Sequence, residues 1–216
     1  MTTGPSAVGE RADDDTAGSA AFGDTAFDAV VLAGGAGSRL GGADKPEVVV
    51  AGRALLDHAL AAVAGAARVV VVGPPALARP GVPTVLEDPP GGGPVAGLAA
   101  GLAALGPGSD LVVVLACDVP GANALVPAVL AAAGSLDGAR VVDPDGRPQH
   151  LLAAYRRAAL DAALVDLGDP QGAAIRRLVA ALRLVDVPDP GGLSADADTW
   201  ADVEALDVRL RGTIEP

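Results

Sequence analysis

Short runs of β-branched residues alternate along this chain with alanine-rich stretches of helical periodicity. The runs Asp28–Ala33, Arg68–Val72 and Leu111–Ala116 are almost continuously apolar, as in strands that are buried on both faces. A shorter run follows at Thr84–Glu87, and Arg53–Ala64 has the apolar spacing of a helix. This alternation is typical of a mostly parallel sheet covered by helices on both faces, so we predict a three-layer α/β/α fold.

In the second half of the chain the apolar runs are interrupted more often. The turn residues Asp143–Gly146 stand between a predicted strand at Ala139–Val142 and an apolar run at Leu151–Ala154, which predicts a hairpin or lid-like elaboration of the same domain. A further strand is expected at Arg183–Val187. Further helices are expected at Leu98–Leu105, Ala124–Ala133, Arg156–Val165, Ala173–Leu182 and Thr199–Leu206. No long linker interrupts residues 27–216, which we expect to form one domain.

Charge and composition exclude several functional classes. The chain carries 27 acidic and 15 basic residues, a net charge of −12, so nucleic acid and anionic membranes meet a repulsive field. Aromatic residues make up only 2% of the chain, too few for the stacking platforms of single-strand binders. The single cysteine, Cys117, cannot form an intramolecular disulfide, and we expect it to be a small buried hydrophobe.

The first 26 residues form an acidic segment rich in glycine, alanine, serine and threonine, which predicts a disordered tail. This segment lacks a basic stretch followed by an apolar one, the pattern of a secretory leader. No later segment provides about eighteen uninterrupted apolar residues, without glycine, proline or charge, for a membrane span. We therefore expect a cytoplasmic protein.

A glycine-rich loop, Leu32–Pro46, directly follows the first predicted strand. In open parallel sheets ligands bind beyond the carboxyl ends of the strands, where glycines let backbone N–H groups approach phosphate oxygens or a base edge. Two familiar phosphate loops are excluded. The third glycine position of a dinucleotide-binding loop holds Leu40, and Lys45 precedes Pro46 instead of a serine or threonine.

Lys45 is the only lysine, beside fourteen arginines. A compact ammonium in this loop, where a planar guanidinium would not serve, favours a functional role over a solvated surface lysine kept by chance. Arg39 lies in the same loop and is predicted to contact phosphate, the alternative being a structural clamp on a neighbouring carboxylate.

Three places offer carboxylates. Asp118 follows a predicted strand, where a carboxylate can hold Mg²⁺ together with substrate phosphates, or instead cap the helix that begins near Asn123. Asp88 opens a second glycine-rich turn and either contacts nucleotide or metal or orders that turn. Asp196 and Asp198 fall on one side of an extended segment, so Asp198 is predicted as a second metal ligand, the alternative being a helix cap.

Several spaced motifs together resemble one known family. They are Leu32-Ala-Gly-Gly35, Gly41-Gly-Ala-Asp-Lys45, Gly52–His58, Gly93-Pro-Val-Ala-Gly97 and Cys117-Asp-Val-Pro120. In this order they are similar to the molybdenum cofactor guanylyltransferases and the wider MobA-like nucleotidyltransferases. The resemblance runs from about Asp28 to Ala205 and implies a Rossmann-like α/β/α nucleotidyltransferase domain.

The resemblance also implies roles for individual residues. It implies that the base is read by the loop residues Leu32, Ala33, Gly34 and Gly35. Lys45 would contact the nucleotide phosphates, Asp88 would lie against the nucleotide, and Asp118 would bind Mg²⁺. The loop and the Gly93–Gly97 motif favour guanine over cytosine, and hence GTP. One motif differs: Asp196-Ala-Asp198 stands where the guanylyltransferases usually carry Asn-x-Asn, and is closer to the cytidylyl type.

The activity implied is transfer of GMP from Mg²⁺-bound GTP to a phosphorylated acceptor, molybdopterin or molybdenum cofactor, with release of pyrophosphate. Proteins of molybdoenzyme maturation would be its partners. Three alternatives stay open. The acceptor is instead a sugar phosphate, a phospholactate-like acid or an alcohol phosphate; CMP is transferred to molybdopterin; or the chain is a nucleotide-binding module without turnover.

Overall fold

The computed structural model describes Met1 and residues 26–34, 40, 42–134 and 136–212. The strands are β1 (Phe27–Leu32), β2 (Val49–Val50), β3 (Arg53–Ala54), β4 (Arg68–Val72), β5 (Thr84–Val85), β6 (Leu111–Ala116), β7 (Gly138–Val142), β8 (Pro148–Arg156) and β9 (Leu184–Pro188). The helices are α1 (Leu55–Ala62), α2 (Gly93–Leu105), α3 (Val126–Ala132), α4 (Arg157–Leu167), α5 (Ile175–Leu178) and α6 (Trp200–Gly212). The predicted tail, 1–26, lies outside the described residues except for its two ends.

Seven of these strands form one sheet in the order β5-β4-β1-β6-β8-β7-β9. Among the described strands of this sheet, β8 alone runs antiparallel to its neighbours, β6 and β7, while β2 and β3 form a separate antiparallel pair. Every residue of β1 is buried, because helices cover both faces of the sheet, and this burial accounts for the unbroken apolar run in the sequence. The three-layer, mostly parallel α/β/α prediction is confirmed.

The predicted hairpin forms at Asp143–Gly146. The N–H of Gly146 donates to the carbonyl of Asp143 at 2.9 Å, and the Asp143 carboxylate accepts the backbone N–H groups of Asp145 and Arg147. Both strands of the hairpin, β7 and β8, lie within the main sheet. The hairpin therefore widens the sheet, and its tip is the turn itself.

Two apolar layers enclose the sheet. On one face α1 and α3 pack against the side chains of Ala29, Val31 and Val113, and on the other α2, α4 and α5 pack against those of Val30 and Val112. A third, smaller cluster lies where α6 packs on the β2–β3 hairpin. None of the helices in the described parts of the chain is both long and apolar enough to cross a bilayer.

Some predicted elements differ in extent. The helix predicted at Ala173–Leu182 is only the four-residue α5, since the chain then turns through Leu182, whose N–H donates to the carbonyl of Val179, and enters β9. The strand predicted at Thr84–Glu87 ends at Val85. The predicted closing helix runs on to Gly212, because Val203, Leu206 and Leu210 give it an apolar side against the third cluster.

Candidate active site

The carboxyl ends of β1, β4 and β6 meet at one edge of the sheet, because these strands are parallel neighbours. There the N–H of Ala33 donates to the carbonyl of Val72 at 2.8 Å, and the N–H of Cys117 donates to the carbonyl of Leu32 at 3.0 Å. The Leu32 and Ala33 side chains are buried, so the main chain from Ala33 onward is what this loop can offer a ligand. Gly34 is exposed, while Gly35 and Arg39 lie outside the described residues.

Lys45 returns to this same edge. It begins a short 3₁₀ helix, Lys45–Glu47, in which Pro46 fits the first turn because that turn needs no N–H donor there. The Lys45 ammonium donates to Oδ2 of Asp118 at 2.8 Å and to Oδ1 of Asp198 at 2.6 Å. Its side chain is only 16% exposed. The lone lysine therefore joins the strand-tip acid to an acid from the far end of the chain.

A main-chain hydrogen bond brings the two acid segments together. The N–H of Ala197 donates to the carbonyl of Asp118 at 2.9 Å. Ala197 is fully buried in the cluster beneath α6, and because side chains of extended chain alternate, Asp196 and Asp198 both lie on the other side of the segment. Carboxylate oxygens of Asp118, Asp196 and Asp198 lie within 4.8 Å of one another. We refer to these three residues as the acidic cluster.

The acidic cluster concentrates negative charge that one ammonium only partly balances. Burial tends to lower the pKa of Lys45, but its hydrogen bonds to Asp118 and Asp198 outweigh this and raise the pKa, so the ammonium stays charged. Desolvation raises the pKa of Asp196, and the neighbouring charges of Asp198 and Asp118 raise it further. A crowded set of carboxylate oxygens is the donor set that Mg²⁺ prefers, and the residues present fit such an ion.

The alternative role predicted for Asp118 and Asp198 is that of a helix cap. Thr199 caps α6: the N–H of Asp202 donates to Thr199 Oγ1 at 3.2 Å, and the Asp202 carboxylate accepts the N–H of Thr199 at 2.8 Å. Near Asn123, the 3₁₀ helix Ala122–Ala124 and α3 both begin without a side-chain cap. Thr199 thus takes the cap position at α6, and neither described helix near Asn123 is capped by Asp118.

Asp88 lies elsewhere on the edge. It is exposed in the loop between β5 and α2, and its carbonyl accepts a hydrogen bond from the Gln171 side chain at 3.4 Å. Three strand spacings of about 4.8 Å separate β5 from β6, which carries Asp118. The structure thus places Asp88 on the opposite flank of the edge from the acidic cluster, with the Leu32–Gly34 loop between them.

Cys117 and the histidines are consistent with structural roles. Burial raises the pKa of the Cys117 thiol to about 12, so this side chain is a neutral hydrophobe at physiological pH, as the sequence predicted. A ring nitrogen of His58 bonds the carbonyl of Val50 at 2.8 Å and ties α1 to β2. His150 lies on β8, where burial lowers its pKa.

Sequence reasoning singled out Asp196 and Asp198 but missed the turn that carries them to the edge. A turn at Asp189–Ser194 precedes Asp196, and the N–H of Ser194 donates to the buried Asp189 carboxylate at 2.7 Å. The Pro-Gly-Gly run after Asp189 signals a turn, but nothing local in the sequence indicates what that turn would face.

Comparison with known sequences identifies relatives along most of the chain. The family model of the MobA-like NTP transferase domain matches residues 29–187. The chain is 39% identical over 191 residues to the molybdenum cofactor guanylyltransferase of Acidiphilium cryptum, which covers 83% of this chain and 93% of that protein. It is 40% identical over 104 residues to the protein of the same name from a Bradyrhizobium species, which covers 44% of this chain and 49% of that protein.

Solved structures share the fold at lower identity. Molybdopterin-guanine dinucleotide biosynthesis protein A from Archaeoglobus fulgidus superposes with a TM-score of 0.62 at 23% identity, covering 86% of this chain and 99% of that one. The 2-C-methyl-D-erythritol 4-phosphate cytidylyltransferase of Thermus thermophilus gives 0.65 at 23% identity, covering 87% and 100%. At this identity the two structures establish the architecture alone.

Proposed function

Because the chain belongs to the MobA-like NTP transferase family, we propose that it transfers GMP from GTP to molybdenum cofactor and releases pyrophosphate. The observation that carries this proposal is the convergence of Lys45 with Asp118 and Asp198 at the carboxyl edge of the sheet. In a metal–triphosphate complex, the ammonium can bind the triphosphate and the clustered carboxylates can bind the metal ion. The names of the relatives supply the nucleotide and the acceptor.

In this proposal Asp118 and Asp198 would hold Mg²⁺, and Asp196 could supply a third oxygen donor. Bound there, the ion would offset negative charge on the triphosphate oxygens. Lys45 has its ammonium between two of these acids before nucleotide arrives. We propose that Lys45 then exchanges its carboxylate partners for phosphate oxygens, so that the lysine and the acids each keep an opposite charge beside them.

The transfer itself needs positioning and charge neutralisation from these residues. An oxygen of the acceptor phosphate attacks the α-phosphorus of GTP, the bond from the α-phosphorus to the bridging oxygen breaks, and pyrophosphate leaves with that bonding pair. The acceptor phosphate is already ionised, so no side chain has to remove a proton. Lys45 stabilises the charge that gathers on the phosphate oxygens, and no covalent enzyme intermediate is required of Cys117.

The nucleotide base and ribose would occupy the middle and far flank of the edge. We propose that the main chain of Leu32–Gly35 reads the guanine, since the side chains of Leu32 and Ala33 are buried and Gly34 is exposed just beyond the hydrogen bonds that tie these two residues to the sheet. Asp88 borders the site from the β5 flank, and Arg39 contacts phosphate. Proteins of molybdoenzyme maturation stay the predicted partners.

The test is pyrophosphate release by the full chain with Mg²⁺ and each of GTP, CTP, ATP and UTP. Each nucleotide is paired with molybdopterin-type acceptors or with sugar and alcohol phosphates. We expect release with GTP and the molybdenum-cofactor acceptor, and its loss in Asp118→Asn. A matched control is Asp161→Asn, which removes a carboxylate that pairs with Arg157 on α4, far from the cluster in the sequence.

The outcomes separate the alternatives. Release with CTP in place of GTP would support the cytidylyl reading, to which the Asp196-Ala-Asp198 motif is similar. Release with GTP but only in the presence of a sugar or alcohol phosphate would show that the proposed acceptor is wrong. Nucleotide binding without release under any pairing would contradict transfer and support a nucleotide-binding module.

A further inference from the structure

Two aspartates of the described residues have almost no exposed surface, and they lie at opposite ends of the sheet. Asp28 is 0% exposed at the start of β1, where its carboxylate pairs with Arg68 and accepts the N–H of Ser109. Asp189 is 2% exposed just after β9, on the edge that carries the acidic cluster. The proposed reaction gives Asp189 no role, so its burial needs another explanation.

The Asp189 carboxylate organises the turn that follows it. Its Oδ2 accepts the N–H of Ser194 at 2.7 Å, and the backbone N–H groups of Leu193 and Gly191 also point to it. Burial by itself would raise the pKa of Asp189, and these backbone donors more than offset it, so the pKa is lowered and the group is ionised. One buried anion thus accepts the N–H of Ser194 and is further stabilised by the backbone of Leu193 and Gly191 in a six-residue turn, which we call the Asp189 turn (residues 189–194).

The Asp189 turn is fixed to its surroundings on several sides. The N–H of Asp189 donates to the carbonyl of Val142, the last residue of β7, at 2.9 Å. Arg209 of α6 donates to the carbonyl of Gly192. Gly121 lies so close to the carbonyl of Leu193 that a Cβ at this position would clash with it. The turn therefore sits between a sheet strand, α6 and the loop after Asp118.

Only Ala195 separates this turn from the acidic cluster. Asp196 follows at once, and the N–H of Ala197 donates to the carbonyl of Asp118 at 2.9 Å. The positions of the Asp196 and Asp198 carboxylates are therefore determined by the turn on one side and by the Thr199 cap of α6 on the other. Without the turn, the N–H of Ala197 and the ammonium of Lys45 would be left to connect the segment to Asp118.

We propose that Asp189 is a positioning residue, which holds Asp196 and Asp198 in place for the cation through the Asp189 turn. This inference rests on the proposed function in one respect, that the acidic cluster binds a divalent cation. An asparagine has nearly the same shape, but it lacks the charge and puts an N–H₂ group where one carboxylate oxygen accepts backbone donors. Groups that orient metal ligands typically contribute about 10-fold to 100-fold in metal affinity.

The experiment is a titration of the full chain with Mn²⁺, with free Mn²⁺ counted by electron paramagnetic resonance and thermal unfolding followed in parallel. Asp189→Asn is compared with Asp28→Asn, which removes an equally buried carboxylate at the other end of the sheet. We expect Asp189→Asn to raise the Kd for Mn²⁺ by about tenfold. Asp28→Asn should lower the Tm and leave the Kd unchanged. A merely structural role for Asp189 would make the two variants alike.

A second variant perturbs the Asp189 turn from the loop that follows Asp118. Gly121→Ala keeps a permitted backbone conformation and pushes on the Leu193 carbonyl, so it should raise the Kd for Mn²⁺ as well. This variant decides the question if Asp189→Asn fails to fold. Wild-type affinity in the folded variant that is tested overturns the positioning role. A wild-type chain that binds no Mn²⁺ instead overturns the cation site itself, and with it the proposed function.

Discussion

Replacing Lys45 by methionine should abolish turnover and yet strengthen the binding of free divalent cation. The Lys45 ammonium lies 2.8 Å from Asp118 Oδ2 and 2.6 Å from Asp198 Oδ1, so it competes for the oxygens that a cation would use. At a separation of about 4 Å, a +1 and a +2 charge repel by roughly 2 kcal/mol even at the dielectric constant of water. That repulsion corresponds to a factor of roughly thirty in affinity.

The same substitution has a predictable effect on stability. Lys45 is 16% exposed and its partners are 23% and 36% exposed, so the pairs lie between surface and buried ion pairs. We expect Lys45→Met to lower the free energy of unfolding by about 2 kcal/mol in EDTA. For a chain of this size that is a fall in Tm of about 4 to 8 °C. Added Mg²⁺ should recover much of this loss, because it binds the folded state.

The assay is calorimetric titration of Mn²⁺ into wild type and Lys45→Met, with the Tm measured in EDTA and in Mg²⁺. The matched control is Arg79→Met. Arg79 also bridges two carboxylates, with Nε 2.7 Å from Asp57 and Nη2 3.0 Å from Glu47, and its side chain is 21% exposed. This control should lose stability in EDTA, and added metal should raise its Tm by no more than it raises that of wild type, because its acidic cluster is unchanged. Equal or weaker Mn²⁺ binding in Lys45→Met would refute competition between the ammonium and a cation.

Three further predictions follow from single contacts. Burial tends to raise the pKa of Asp28, but Arg68 and the N–H of Ser109 outweigh it and lower the pKa, so its stabilisation is complete above the unfolded pKa of about 3.9 and is lost below it. The urea midpoint of wild type should therefore fall more steeply than that of Asp28→Asn as the pH drops below about 4. Thr199→Ala should lower the free energy of unfolding, measured by urea denaturation, by about 1 kcal/mol, because α6 loses its cap. Since burial raises the pKa of the Cys117 thiol to about 12, native protein should resist alkylation at pH 7.5, and Cys117→Ala should keep its rate of pyrophosphate release.

The sheet could be predicted from the sequence because burial on both faces leaves a local trace. In β1, β4 and β6 nearly every residue is aliphatic, so strand position and carboxyl end can be identified in the sequence without any knowledge of the partner strand. Short elements that are buried on one side have a weaker sequence pattern. The helix predicted at Ala173–Leu182 is wrong in length, because alanine content favours a helix while the short path into β9 allows only one turn.

The acidic cluster could be predicted only in pieces. Lys45 is conspicuous as the single lysine, and Asp118 by its place after a strand, but their contact spans 73 residues and the contact of Lys45 with Asp198 spans 153. No local pattern encodes which distant loop meets which. The roles predicted for Gly35 and Arg39 fall outside the described residues, and the role of Asp88 stays a prediction.

Net charge sets the order in which these groups can act. A chain with a net charge of −12 repels a bare triphosphate, and one ammonium that is already paired with two carboxylates does little to change that at a distance. A nucleotide that carries its own divalent cation presents positive charge to the acidic cluster and negative charge to Lys45 at the same time. In the proposed function the acids would therefore meet the complex first, and the lysine would become available to phosphate when the cation replaces it. The same carboxylates that repel free nucleotide would then make the site selective for the metal complex.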